Sequence, residues 1–140
     1  MSAAELTGKL NVKVPGGKGF GEKADTYIKI YIVQDALVGK KKRCVYKGKA
    51  DKNDDTPEFK IDVNKTLKGK YETLKIGVYS KKMGSDKELG AAEIKMTDIK
   101  TKKTIKGDYP IGKASIHVEV KFEEGSAGIM GEFESTSDSD

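Results

Sequence analysis

Residues 74–96 read LKIGVYSKKMGSDKELGAAEIKM. Leu74, Ile76 and Val78 alternate with Lys75, Gly77 and Tyr79, so the first six residues have the period-two pattern of a half-buried strand. A second strand is expected over 91–96, AAEIKM. Between them, SKKMGSDKE (80–88) reads as a polar loop with two adjacent lysines, Lys81 and Lys82. What such a loop does depends on the fold that presents it.

The same alternation recurs along the chain. LNVKV (10–14) places Leu10, Val12 and Val14 on one face, and TYIKIYIV (26–33) sets Ile28, Ile30 and Ile32 against Tyr27, Lys29, Tyr31 and Val33. RCVYK (43–47), EFKIDV (58–63), KTIKGDYPI (103–111) and SIHVEVKFE (115–123) have the same character, and no run with helical period stands out. With the two strands above, this predicts eight strands in about 115 residues, separated by turn signals such as PGGKG, NDDTP and GSDKE. Many short strands at this spacing predict an all-β domain, an eight-stranded antiparallel β-sandwich in which each sheet buries one face.

A chain of 140 residues and 15.3 kDa is one domain by length and can bury a substantial core. The single cysteine, Cys44, excludes an internal disulfide, and its place in a strand predicts burial. No apolar run resembles a signal peptide or spans a bilayer, so the expectation is a cytoplasmic protein acting as a monomer. The net charge of +5 hides an asymmetry: residues 125–140 carry four acids (Glu132, Glu134, Asp138, Asp140) and no base. The preceding 124 residues therefore hold 27 basic and 18 acidic side chains, a net +9. A basic body points to an anionic partner. The segment 125–140, Gly/Ser-rich and without alternation, is expected to be a disordered acidic tail after a sandwich at 8–124, with 1–7 as an N-terminal extension.

The order of these segments resembles the C2 domain family. GKLNVKV, a Gly-rich loop and ADTYIKIYI resemble the family's opening. KKKRCVYKGKADKNDDTPEFKIDV matches its lysine-rich strand and following loop. LKIGVYSKKMGSDKELGAAEIKM resembles its third-loop region, and KGDYPI with ASIHVEVKFEE its close. A last strand at the C-terminus suits the permuted, type II-like topology, in which the first strand leads directly into the first binding loop. The resemblance covers about residues 8–124. It implies a sandwich with three loops at one end, here 16–25, 50–58 and 80–88.

In calcium-dependent members of that family, loops one and three supply aspartates that hold calcium against anionic headgroups. Carried over to this sequence, Asp25 is kept. The earlier loop-one position falls near Gly19, and the loop-three positions become Ser80, Lys82 and Lys87. Calcium takes six to eight oxygen ligands. An ammonium about 4 Å from a divalent ion is repelled by roughly 8 kcal/mol at an effective dielectric near 20. Calcium is therefore disfavoured, leaving a weak residual site at Asp25, Asp54, Asp55 and Asp86 as the alternative.

Two basic clusters remain. Lys41, Lys42, Arg43, Lys47 and Lys49 lie on or beside one strand, where the family often carries a lysine patch for phosphoinositides or acidic proteins. Lys18, Lys23, Lys81 and Lys82, with Phe20 and Met83, lie on the loop tips. His117 is alone in a strand, and no zinc spacing, phosphate cradle or carboxylate pair suggests an enzyme. The basic residues lack interleaved aromatic stacking platforms, which argues against nucleic acid. The expectation is a non-catalytic, calcium-independent module, peripherally associated with anionic phospholipid membranes. Its alternatives are a scaffold binding an acidic protein partner through the same lysines, and weak calcium-dependent lipid binding.

Overall fold

The alternating apolar residues face one shared core in the computed structural model, which describes residues 3–20, 26–35, 40–48, 59–82 and 85–125. Eight strands and one short helix follow the order β1 (Ala4–Val14), β2 (Gly17–Lys18), β3 (Thr26–Asp35), β4 (Lys40–Lys47), β5 (Ile61–Lys82), β6 (Ser85–Lys95), α1 (Met96–Lys102), β7 (Thr104–Ile111) and β8 (Ala114–Glu124). Every ladder is antiparallel. Among the described residues no helix is long and apolar enough to cross a membrane.

The long strand β5 joins the two layers. Its first half pairs with β1, from Val14↔Ile61 to Ala4↔Tyr71, and β1 pairs in turn with β8 and β8 with β7. Its second half pairs with β3 on one side and β6 on the other, and β3 carries β4. The layers are thus β7-β8-β1-β5 and β6-β5-β3-β4, here sheet I and sheet II. Leu6, Leu10, Val12 and Val14 from β1 and Ile116, Val118 and Val120 from β8 line the sheet I side of the core. Ile28, Ile30, Leu74, Ile76 and Val78 line the sheet II side, and all of these are at most 2% exposed. This is the expected sandwich.

The structure corrects several details. Residues 61–63 of the strand expected over 58–63 and the whole of that expected over 74–79 are parts of one 22-residue strand, with Gly69 (φ 143°) near the change from sheet I to sheet II pairing. A positive φ there suits glycine, which has no Cβ to clash. The intervening residues KTLKGKYE carry only sparse apolar positions (Leu67 and Tyr71 are buried), so their pattern alone does not announce a strand. Residues 4–7, expected in an extension, begin β1 and pair with 68–71.

Nothing in the sequence pattern announces the helix α1. Seven residues are too few for helical periodicity to show, yet Met96 and Ile99, three apart, are both buried. Their burial holds a helix that has no side-chain N-cap. Cys44, expected inside, is exposed, because its strand is the edge of sheet II and Cys44 falls on the outer face. Segment 126–140 lies outside the described residues.

Candidate functional site

The outer face of sheet II collects the lysines, and the β-bulge in β4 decides which. Lys42 and Lys47 are five apart, so strict alternation places them on opposite faces. The register shift between Ile30 and Tyr31 leaves Val45 unpaired, resetting the alternation. Lys47 then sits opposite Lys29, Cys44 opposite Tyr31, and Lys42 opposite Val33, all at outward positions. Lys41 and Arg43 take the other parity, opposite Gln34 and Ile32. Arg43 is nonetheless exposed, because no strand lies beyond β4 to cover it among the described residues.

Tyrosines organise these cations. The rings of Tyr27 and Tyr79 stack at 5.5 Å and 22° across the β3–β5 ladder. The Lys29 ammonium lies 4.8 Å from the centroid of Tyr79 and 5.9 Å from that of Tyr27. The Lys42 ammonium lies 4.5 Å from that of Tyr31. Cation–π contacts of this kind contribute about 0.5–1 kcal/mol at exposed sites and hold the ammonium groups in place. The Tyr79 hydroxyl donates to Glu88 Oε1 at 3.2 Å, and Lys75 Nζ is 3.7 Å from the same oxygen. Burial, then hydrogen bonding with Tyr31, then the nearby Glu88 carboxylate keep the Tyr79 phenol far above its usual pKa, so it stays a neutral donor. Gly77 makes room for this arrangement. A Cβ there would meet Tyr79 Cε1 at 3.0 Å.

The charge on this face is graded. At the outward positions of β3 and β4 between Tyr27 and Val33 there are three lysines and no carboxylate. On the β5–β6 side, Glu88 and Glu93 balance Lys75. The outer face of sheet I differs. There Lys106, Glu119, Lys13 and Asp62 alternate in sign along one cross-strand row. Its centre is Asn11, which donates to Asp62 Oδ1 at 2.6 Å and Asn64 Oδ1 at 2.9 Å.

The registers place the described ends of three connections, after Val14, Lys47 and Lys82, at one end of the sandwich. Lys60 donates its N–H to the Pro15 carbonyl at 3.1 Å and Gly48 to that of Ile28 at 2.8 Å, tying the two described ends of the second connection to the start of the first and to β3. The third is not the open loop expected over 80–88. Ser80 pairs with Lys87, Lys81 with Asp86 and Lys82 with Ser85, leaving only residues 83–84 between the strands. The stretch is a hairpin extension of sheet II. Ser80 is 6% exposed, and its ladder partner Thr26 is fully buried with no hydrogen-bond partner for its hydroxyl among the described residues.

Comparison with known proteins bears on this arrangement. The family model described as C2 domain matches residues 8–111. The chain belongs to the C2 domain family. No curated protein sequence matches it. Among solved structures, this C2 domain is similar to the calcium-bound tandem C2 fragment of extended synaptotagmin 2, with a TM-score of 0.67 and 14% identity over 86% of this chain and 48% of that one. It is also similar to human GIVD cytosolic phospholipase A2, with a TM-score of 0.67 and 18% identity over 88% of this chain and 16% of that one. A structure titled only as a C2 domain matches at a TM-score of 0.62 and 15% identity, covering 83% of this chain and 98% of the other. The chain thus spans about half of the synaptotagmin fragment and a sixth of the phospholipase. At these identities the likeness concerns the fold.

The expected site residues of the C2 domain do not form one cluster among the described residues. Lys42 and Lys47 are brought together on the outer face of sheet II, whereas Lys41 and Arg43 belong to the edge. Lys18 is exposed at the loop end. Phe20, expected at a loop tip, packs edge-on against Phe59 with centroids 6.4 Å apart and lies against the core, half-buried. Lys81, Lys82 and Asp86 hold ladder positions in the hairpin. Lys23, Lys49, Met83, Asp25, Asp54 and Asp55 lie outside the described residues. Sequence reasoning missed Lys29, Tyr31 and Tyr79, although TYIKIYIV shows Tyr27, Lys29 and Tyr31 alternating on the polar side of a strand. His117 is no lone residue: Nδ1 is 2.9 Å from Asp108 and Nε2 3.1 Å from Glu119.

Proposed function

We propose that this C2 domain is a non-catalytic module that attaches to anionic phospholipid surfaces, without calcium, through the β3–β4 half of sheet II. The observation that carries this reading is the gathering of Lys29, Lys42 and Lys47 on the outward positions of β3 and β4, where no carboxylate stands among the described residues, with Tyr31 and Tyr79 beside them. Each basic residue near an anionic leaflet contributes about 1 kcal/mol, so such a surface supports reversible, salt-sensitive attachment.

Tyrosine suits this place because its ring supports the ammonium group while its hydroxyl offers a hydrogen bond. The absence of a calcium requirement is supported by the third connection. By the family resemblance, Lys82 falls where calcium-dependent members are expected to carry an aspartate, and the strands pair as far as Lys82 and Ser85. An acidic protein is the alternative ligand for the same surface.

The test is cosedimentation with phosphatidylcholine vesicles containing increasing phosphatidylserine, in calcium and in chelator. Binding should rise with phosphatidylserine, fall with salt and be equal in both buffers. Substituting Lys29, Lys42 and Lys47 together by Gln should weaken it by about 3 kcal/mol, roughly a hundredfold. Binding that needs calcium, or that survives this triple substitution, would reject the assignment.

A further inference from the structure

We infer that the β4 edge is an interaction surface for an acidic extended segment, and that the chain's own residues 132–140 are its occupant. Two features of β4 set it apart. It ends sheet II, with β3 on one side and no strand on the other among the described residues. It also carries KKKRCVYK, in which Lys42, Arg43 and Lys47 are exposed. An open edge leaves backbone N–H and C=O groups unpaired. Its lysines discourage strands of like or neutral character, and an acidic strand meets no such opposition.

The charge matches. Residues 132–140, EFESTSDSD, hold four carboxylates and no base. Residues 126–131, SAGIMG, precede them as a spacer without charge.

The geometry also allows it. The last described residue, Gly125, donates its N–H to the Thr7 carbonyl at 3.0 Å, so the chain leaves sheet I near the start of β1. The start of β4 is at that same end. Ala4 pairs with Tyr71, Tyr71 with Gln34 and Gln34 with Lys41. Gly125 lies one strand spacing from Thr7, Thr7 three residues along β1 from Ala4, and Lys41 three spacings from Ala4, so on the unrolled sheet the separation is roughly 22 Å. The roughly seven residues from Gly125 to Glu132 span at most about 25 Å, so the first carboxylate arrives where the basic edge begins.

A short tether holds such a segment at an effective concentration of order mM, enough for a weak contact to be populated. Seated along β4, residues 132–140 would neutralise Lys42 and Arg43 and compete with an anionic surface for them. That competition rests on the lipid reading, whereas the docking does not.

The experiment compares the full chain with a version ending at Gly125. Amide chemical shifts of 41–47 should differ between the two, and the difference should disappear in about 0.5 M salt, where the screening length is a few ångströms. Replacing Glu132 and Glu134 by Gln with Asp138 and Asp140 by Asn should reproduce the truncated spectrum. Affinity for phosphatidylserine-containing vesicles should rise about three- to tenfold on truncation, and a peptide of 126–140 added in trans should reverse it only near mM concentration. Identical shifts at 41–47 overturn the docking, and an affinity gain without those shifts would be a net-charge effect only. If neither version binds vesicles, the lipid reading fails, and the shifts still decide the docking.

Discussion

At the scale of single residues, Glu88 sets the boundary of the basic surface. Its carboxylate accepts from Tyr79 and pairs with Lys75, cancelling part of the positive field on the β5–β6 side. Glu88→Gln keeps the size and the hydrogen-bond acceptor while removing the charge. It should strengthen attachment to anionic vesicles by about 1 kcal/mol, roughly fivefold, measured by cosedimentation at low salt. His117 makes a separate, structural prediction. Its ring lies between Asp108 and Glu119, and hydrogen bonding to Asp108 first, then to Glu119, raises its pKa above the usual 6.5. A raised folded-state pKa means the stabilisation is fully present below about pH 6.5 and is lost as pH rises through the folded value. The imidazole titration followed by NMR should therefore have a midpoint above 6.5, and Asp108→Asn should lower it. Between about pH 6 and 8 the urea midpoint should fall in the parent and stay flatter in His117→Gln.

At the scale of elements, β3 is the strand on which both core and surface depend. Ile28, Ile30 and Ile32 are buried, while Tyr27, Lys29 and Tyr31 build the outer face from the same short stretch. Ile30→Ala should cost about 2–5 kcal/mol, seen as a lower urea midpoint with little change in the slope. Vesicle binding by the fraction still folded should be retained. The alternation that separates these two faces is legible in TYIKIYIV. The β4 surface is legible only as composition. KKKRCVYK contains the lysines, but which of them share a face depends on the bulge at Val45, and a bulge arises where neighbouring strands must match lengths and twist. The third connection escapes the sequence for a related reason. SKKMGSDKE has loop-like polarity, yet its residues complete a ladder, and backbone pairing is open to polar and apolar residues alike.

At the scale of the whole molecule, one outer face is mixed in charge and the other basic, although lysine is common on both. On sheet I, Lys13 sits between Glu119 and Asp62 across the strands, and Lys106 adjoins Glu119. On sheet II, Lys29 and Lys47 are direct cross-strand neighbours, an arrangement that costs roughly a few tenths of a kcal/mol in like-charge repulsion and is eased by the tyrosine rings. Placement therefore matters more than number. Substituting Lys9, Lys13 and Lys121 of sheet I by Gln removes the same amount of charge as the Lys29, Lys42 and Lys47 substitution. It should change vesicle affinity less than about threefold, since that face lies across the sandwich from the membrane and beyond a Debye length of about 8 Å. Equal losses in the two triple variants would mean that net charge governs attachment, with no particular face involved.

Local alternation and motif order are written along one dimension, and they carry the all-β class, most of the core and the family. Residue identity alone also makes calcium ligands sparse in the third connection, where Ser80, Lys82 and Lys87 stand. Which cations act together is a different kind of property. Lys29, Lys42, Lys47 and Tyr79 are brought together by the registers of β3 with β4 and β5 and by one unpaired residue. Register belongs to paired strands and is set by how two sheets fill a common core, so no single segment of the chain encodes it.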